Sequence, residues 1–135
     1  MSESKPGIKI FTLDEANAAL PRVRGTLHLL REIRRRIIAK QARVDIEEMT
    51  SGGRRTAAID GLLKEISEEA ESFHRSMESM QSLGCELKDL ERGLIDFYAM
   101  RGNDVVYLCW MDGEDKIAWW HPLDTGAKGR LPITD

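Results

Sequence analysis

The side chains best suited to chemistry lie in the last third of the chain. Asp96 lies within a predicted strand, and Glu114 lies in the predicted turn that follows a later strand. His121, Asp124 and Arg130 follow in a segment rich in glycine. An imidazole with carboxylates can bind a divalent metal ion or transfer protons, and an arginine can bind an anion. The pattern predicts a ligand-binding site of these five residues at one edge of a small sheet, without specifying a metal or a cofactor.

The same residues also have a structural interpretation. Glu114 could solvate a hairpin turn, Asp96 could pair with Arg130 as an internal salt bridge, and His121 could fix the chain as it reaches Pro122. Buried charges in proteins are usually paired in this way. The sequence leaves both interpretations open.

Two further groups have weaker chemical patterns. Cys109 lies in the middle of a predicted strand and is expected to be a small core residue. A Cys109 nucleophile with His121 as its base is an alternative, but nothing in the sequence brings the two together. Glu71 and His74 have the ExxH spacing of bundle metal sites, yet Glu71 is predicted to point outward and His74 only to flank the helix–helix contact.

The first helix that could position these residues begins near Leu13. Thr12 and Glu15 have the spacing of a capping box. Pro21 predicts either a kink or a short helix that ends before a long one. Apolar residues then recur at steps of three and four, which predicts one buried stripe formed by Leu13, Ala16, Leu20, Val23, Leu27, Leu30, Ile33 and Ile37.

A second helix follows the turn at residues 50–53 and ends at Gly84, a predicted C-cap. Its predicted stripe consists of Ile59, Leu63, Ile66, Ala70, Phe73, Met77 and Met80. Residues 21–49 and 55–83 form arms of equal length, about 43 Å each at 1.5 Å per residue. The first arm is strongly basic and the second acidic, so charges can pair across a long antiparallel helical hairpin spanning about residues 12–84.

After Gly84 the pattern changes to apolar alternation typical of strands. Segments 94–100, 105–111 and 117–120 predict a three-stranded antiparallel β-meander, because the connections between them are short and contain glycine. Trp119 and Trp120 must point to opposite faces. The sheet therefore needs cover on both sides, by the hairpin on one and by a second subunit, the N-terminal segment or a ligand on the other, and we favour a homodimer.

A set of short motifs is spread over nearly the whole chain: Phe11 to Asn17 with Leu20-Pro21, Gly84 to Asp89, Gly93 to Phe97, Leu108-Cys109-Trp110, Gly113-Glu114, Trp120-His121 and Gly129-Arg130. Through these motifs together the chain resembles the bacterial proteins catalogued as domain of unknown function 2203. The resemblance implies no activity. One departure is Tyr98, where such sequences often have proline.

Composition limits the classes of function. With 41% hydrophobic and 32% charged residues, the 135-residue chain is predicted to be one α+β domain, residues 1–135, with the sheet and C-terminal loop after residue 84. Residues 1–9 lack the apolar region of a signal peptide and no stretch is long enough to cross a membrane, which predicts a cytoplasmic protein.

The leading functional hypothesis is a non-enzymatic interaction or regulatory module that assembles as a homodimer. The first alternative is a small-ligand or metal-binding protein that uses the polar residues at the edge of the sheet. The second is a nucleic-acid binder that uses Arg34, Arg35 and Arg36, against which the neighbouring acidic helix argues.

Overall fold

The computed structural model describes residues 8–134. Residues 1–7, on which the signal-peptide prediction partly depends, and residue 135 lie outside the described part. None of the helices in residues 8–134 is both long and apolar enough to cross a membrane. The elements in chain order are α1 (Leu13–Thr50), α2 (Ala57–Ser82), β1 (Cys85–Asp89), β2 (Leu94–Arg101), β3 (Asp104–Met111), β4 (Trp119–Pro122), a 3₁₀ turn (Ala127–Gly129) and β5 (Leu131–Pro132). The α+β class, with two long helices before an antiparallel sheet, is confirmed.

The sheet has five strands in the order β1-β2-β3-β4-β5, so the prediction of three strands is wrong. All neighbours pair antiparallel. β1 was missed because its sequence, Cys85 to Asp89, is mostly polar and has only one buried residue. β5 was missed because it has only two residues, which are recognisable as a strand only by their pairing with Trp119 and Trp120. Strands this polar or this short carry little hydrophobic pattern of their own.

α1 is one helix that contains Pro21, so the alternative of a short helix ending before this proline is wrong. The predicted capping box is confirmed: Glu15 N–H donates to Thr12 Oγ1 at 3.1 Å, and Thr12 N–H donates to Glu15 Oε1 at 2.9 Å. Proline inside a helix costs about 3 kcal/mol because it removes a hydrogen bond. Here Pro21 is exposed while Leu20 and Val23 are buried, so packing of the neighbouring turns offsets that cost.

Residues 8–27 and 80–134 form one compact unit, in which the first turns of α1 pack on the sheet. The side chain of Asn17 accepts a hydrogen bond from Ile117 N–H at 2.9 Å. The Arg24 guanidinium lies 5.4 Å from the ring centroid of Trp110. The predicted stripe of α1 therefore does not serve the second helix along its whole length, because its first part faces the sheet.

Residues 28–79 form the second compact unit, a helical hairpin. Val44, Ile59 and Leu62 form a buried cluster between its two arms. On α2 Leu62 is buried, whereas Leu63, which belongs to the predicted stripe, is only half-buried. A helical stripe about 100° wide can include either Leu62 or Leu63, so the packing of α2 against α1 decides which of the two side chains is buried.

Charge pairing across the hairpin occurs as predicted. Arg36 contacts Glu69 at 2.7 Å, and Lys40 lies 3.3 Å from Glu69 and 3.6 Å from Glu65. The hydrogen bond from Arg36 is the main reason that the pKa of Glu69 is lowered. These pairs are partly exposed, so each one contributes only modestly to stability.

Gly84, the predicted C-cap, follows α2 with φ 92° and donates its N–H to Gln81 O at 2.9 Å. A Cβ at this position would lie 3.1 Å from the Lys9 side chain and 3.2 Å from the Phe11 ring. We expect Gly84→Ala to lower the free energy of unfolding by about 1–3 kcal/mol, because both the backbone conformation and the space favour glycine. Urea unfolding followed by circular dichroism measures this change.

Gly25→Ala is the matched control for this measurement. Gly25 lies inside α1, and an added Cβ there meets nothing within 4 Å. The same substitution should therefore stabilise the protein by about 0.5–1 kcal/mol through helix propensity. Equal effects of the two substitutions would contradict the role assigned to the conformation of Gly84.

Candidate functional site

One face of the sheet is polar in its centre. Residues paired directly across neighbouring strands point to the same side of a sheet. Trp119 pairs with Cys109 and lies on the face that is polar in its centre. Trp120 pairs with Leu108 and lies on the opposite face, which confirms that the two tryptophans point to opposite faces. We call the side of Trp119 the polar face; its central residues are Glu86, Asp96, Tyr98, Tyr107, Cys109 and His121.

His121 and Asp96, from β4 and β2, meet at the centre of the polar face. His121 Nε2 lies 3.1 Å from Asp96 Oδ2 and 3.2 Å from Oδ1. The side chains are 1% and 2% exposed. The structure brings these two predicted residues together, although β3 separates their strands.

The tautomer of His121 follows from its second contact. Nδ1 lies 2.8 Å from Pro122 O, and because a carbonyl oxygen only accepts hydrogen bonds, Nδ1 must carry a proton. Nε2 then faces the two carboxylate oxygens of Asp96, which also accept. The contact is favourable only if a cation, either a proton or a metal ion, lies between the imidazole and the carboxylate.

Cys109 completes the cluster, although from the sequence it was expected to be a small core residue and was not included among the five ligand-binding candidates. Its Sγ, a ligand atom of His121 and a carboxylate oxygen of Asp96 all lie within 4.8 Å of one another. Burial, followed by the negative charge of Asp96, raises the pKa of the Cys109 thiol to about 12. The thiol is therefore protonated at neutral pH, which disfavours the cysteine-nucleophile alternative.

The signal that could have found Cys109 is strand register. Cys109 pairs with Asp96 on one side and with Trp119 on the other. His121 is two residues from Trp119 and so shares its face. Once β3 and β4 are aligned, the thiol and the imidazole are diagonal neighbours, but a sequence does not give that alignment.

A hydrogen-bonded rim borders the cluster on the side of β1. Lys88 Nζ lies 3.6 Å from Asp96 Oδ2 and 4.2 Å from the ring centroid of Tyr107. The Tyr107 hydroxyl is 3.2 Å from Glu86 Oε1 and 3.1 Å from the Tyr98 hydroxyl. The contacts with Tyr107 and Glu86 raise the pKa of Tyr98, so both phenols are neutral hydrogen-bonding groups.

Glu114 and Arg130 form a separate ion pair. Arg130 Nη2 donates to Glu114 Oε2, while Glu114 Oε1 accepts the Met111 N–H at 2.8 Å. The guanidinium also lies 4.7 Å from the ring centroid of Trp119. The structural interpretation of the sequence expected Arg130 to pair with Asp96. Arg130 pairs with Glu114 instead. Asp96 pairs with His121.

Asp124 does not belong to either group. It is exposed in the turn after β4, and within residues 8–134 it forms no hydrogen bond or ion pair. The five predicted residues therefore divide into the buried pair of Asp96 and His121, the pair of Glu114 and Arg130, and the isolated Asp124. The charge of Arg130 lowers the pKa of the Cys109 thiol and the charge of Glu114 raises it, although burial has the largest effect.

Fold and site together define a small α+β protein with a buried imidazole, carboxylate and thiol on an antiparallel sheet. The chain belongs to the family described as "Uncharacterized conserved protein (DUF2203)", whose profile matches residues 9–133, and this confirms the predicted family. No curated protein and no solved structure matches the chain significantly.

Proposed function

We propose that this protein binds one divalent transition-metal ion, of the zinc class, through Asp96, Cys109 and His121. The observation that supports the proposal is the meeting of an imidazole nitrogen, a carboxylate and a thiol, all within 4.8 Å, at positions no more than 2% exposed. A metal ion would lie between the two acceptor groups of His121 and Asp96 and would satisfy both.

The distances suit tetrahedral coordination. Zinc bonds of roughly 2.0–2.1 Å to nitrogen and oxygen place those ligand atoms about 3.3 Å apart. The observed separation of His121 Nε2 from Asp96 Oδ2 is 3.1 Å. With a zinc–sulfur bond of about 2.3 Å, the sulfur would lie about 3.6 Å from the other ligands. Since the sulfur lies within 4.8 Å of the other ligand atoms, the thiol of Cys109 would have to approach by at most about 1.2 Å.

The donor set also selects the metal. Carboxylate oxygen alone would suit Mg²⁺ or Ca²⁺, whereas a thiolate with an imidazole prefers Zn²⁺ and related ions. The Nδ1–H contact of His121 with Pro122 O fixes the ring, as a second hydrogen bond does for most histidine ligands. All three ligands are buried, which limits the access of solvent to the ion, and three protein ligands leave a fourth position for a water molecule or another ligand.

Cobalt titration tests this proposal. Protein stripped with a chelator and then titrated with Co²⁺ should gain the thiolate-to-cobalt charge-transfer absorption in the near ultraviolet, saturating at one ion per chain. Zn²⁺ should displace the cobalt and Mg²⁺ should not. His121→Ala should weaken Co²⁺ binding by at least about a hundredfold, since one of three ligands is lost.

The two cysteines provide a matched control. Cys109→Ser should abolish the charge-transfer band, while Cys85→Ala should retain it, because Cys85 pairs with Phe97 and lies on the opposite face. Elemental analysis of the unstripped protein gives the native ion. A wild-type protein that shows no charge-transfer band with excess Co²⁺ and retains no metal on purification would refute the proposal.

A second proposal concerns assembly, and it retains the leading hypothesis of an interaction module. We propose that the protein forms a homodimer through the outer surface of its hairpin. Ile38, Ile46 and Met49 of α1 are 56%, 58% and 82% exposed, and at 3.6 residues per turn they fall on one side of the helix. Light scattering at tens of micromolar should give a particle of two chains.

The nucleic-acid alternative gains no support from the arginine-rich segment. Arg35 pairs with Glu32 and Arg36 with Glu69, so part of the positive charge is already neutralised within the hairpin. Phosphate contacts would have to displace these acids.

A further inference from the structure

We propose that a groove between the two arms of the hairpin binds the phosphate group of a small phosphate monoester. The groove is independent of the metal site, because the residues that line it all belong to the hairpin unit, residues 28–79. Its volume is about 290 Å³, and a cavity of about 150 Å³ is already large enough for benzene. A phosphate group with a small organic body therefore fits.

The two walls of this groove, called the serine groove, differ in chemistry. The wall from α2 consists of three hydroxyl side chains, Ser72, Ser76 and Ser79, which their spacing of four and three residues places on one side of the helix. The wall from α1 has the same spacing but consists of Leu29, Ile33 and Arg36. A ligand in the serine groove would meet hydrogen-bond donors on one side and a mainly apolar surface on the other.

The hydroxyl of Ser76 is the observation that points to a ligand. Ser76 lines the groove and is only 8% exposed. Among the residues that the structure describes, none forms a hydrogen bond with the Ser76 hydroxyl. A buried hydroxyl without a partner lowers the stability of a fold, and native proteins usually provide one. An acceptor oxygen bound in the groove would satisfy the Ser76 hydroxyl.

Two arginines favour an anion as that acceptor. Arg75 Nη2 donates to Ser72 Oγ at 3.2 Å, which leaves the Ser72 proton for a ligand, and Arg75 forms no ion pair with any described residue. Arg36 donates to Glu69 through Nε and Nη2 only, so that its Nη1 can still donate. Glu69 is also paired with Lys40 at 3.3 Å. The positive charge of Arg75 is therefore not neutralised within the hairpin.

A phosphate group matches these donors better than a carboxylate does. Guanidinium groups bind phosphate through parallel N–H donors. Here the donors come from two helices, and the three terminal oxygens of a phosphate monoester point in three directions, whereas both oxygens of a carboxylate lie in one plane. The apolar side chains of α1 would contact the organic part of the ligand.

Isothermal titration calorimetry with phenyl phosphate tests the site. The full chain is used after metal removal, so that a metal ion cannot bind the phosphate. Phenyl phosphate should bind once per chain with a dissociation constant of about 1 mM or lower, and benzoate should bind at least about tenfold more weakly. Inorganic phosphate should bind about fivefold more weakly, because it cannot contact the apolar wall. Equal affinity for benzoate would overturn the assignment to phosphate, equal affinity for inorganic phosphate would overturn the monoester, and no binding of phenyl phosphate would overturn the site.

A pair of arginine variants tests whether the charge of the groove or the overall charge of the hairpin binds the phosphate. Arg75→Gln should weaken the binding of phenyl phosphate about tenfold or more. The matched control is Arg35→Gln, which makes the same change of charge at a residue that pairs with Glu32 and does not line the groove. It should change the dissociation constant by less than about twofold. Equal losses for the two variants would overturn the site.

Ser76→Ala separates ligand binding from folding. It should weaken the binding of phenyl phosphate about tenfold, because a hydrogen bond to a charged group is lost. In the ligand-free protein the same substitution should raise the midpoint of urea unfolding, because it removes a buried hydroxyl that has no partner. A Ser76→Ala variant that binds phenyl phosphate as tightly as the wild type would contradict the proposal.

Discussion

Asp96→Ala is expected to lower the free energy of unfolding of the metal-free protein by about 3–5 kcal/mol. Asp96 is 2% exposed and contacts His121, which is 1% exposed. Without the carboxylate, the imidazole keeps its Nδ1–H bond to Pro122 O, but Nε2 is left in a low-dielectric interior without a partner. Removing one member of a buried pair costs far more than the pair contributes as a whole.

The measurement is urea unfolding in the presence of a chelator, so that metal binding does not enter the free energy. Asp96→Asn should cost less, because an amide N–H can donate to Nε2 of a neutral His121. Asp104→Ala removes an exposed acid at the start of β3 and should change stability by less than about 0.5 kcal/mol. A loss below about 1 kcal/mol for Asp96→Ala would show that the contact with His121 does not stabilise the fold.

Trp110→Ala is also expected to lower the free energy of unfolding by about 3–5 kcal/mol, because Trp110 packs in the core on the face of the sheet opposite the polar face. Trp110 is fully buried. Its indole Nε1–H donates to Glu114 O at 2.9 Å, and Arg24 packs on its ring. The alanine variant would lose the largest side chain of the core and leave a cavity that the rigid sheet cannot fill.

Trp110→Phe separates packing from hydrogen bonding in this site. Phenylalanine keeps much of the buried surface but cannot donate to Glu114 O. That carbonyl also accepts from Arg24 Nη2 at 3.2 Å, so it would retain a donor and the loss should stay near 1 kcal/mol. Thermal unfolding followed by circular dichroism compares the two variants. Similar losses for both would indicate that the indole contact with Glu114, and not its volume, stabilises the core.

Local features of the fold were predictable from the sequence. The capping box of Thr12 and Glu15 and the C-terminal Gly84 depend on residues only a few positions apart, so their physics is complete within a short segment. The central strands β2 and β3 were predicted almost to their ends, because each carries enough apolar residues to define a strand. The edge strands β1 and β5 form only because neighbouring strands supply hydrogen-bond partners, and they were missed.

The candidate site was predictable from the sequence only in part. Asp96 and His121 were recognised as residues able to share a site, yet the partner expected for Asp96 was Arg130. The structure pairs Arg130 with Glu114. Ion pairs between residues distant in sequence depend on strand register, and a sequence does not specify that register at the level of single contacts.

By itself the sequence determined the α+β class, the two helices and the change from helical to strand periodicity after Gly84. These follow from propensity, capping and hydrophobic period, which act over a few residues. The tertiary structure alone decided that Asp96, Cys109 and His121 meet, since their contact needs the side-by-side alignment of β2, β3 and β4. It also decided that the first turns of α1 face the sheet, because burial depends on which surfaces meet once the chain has folded.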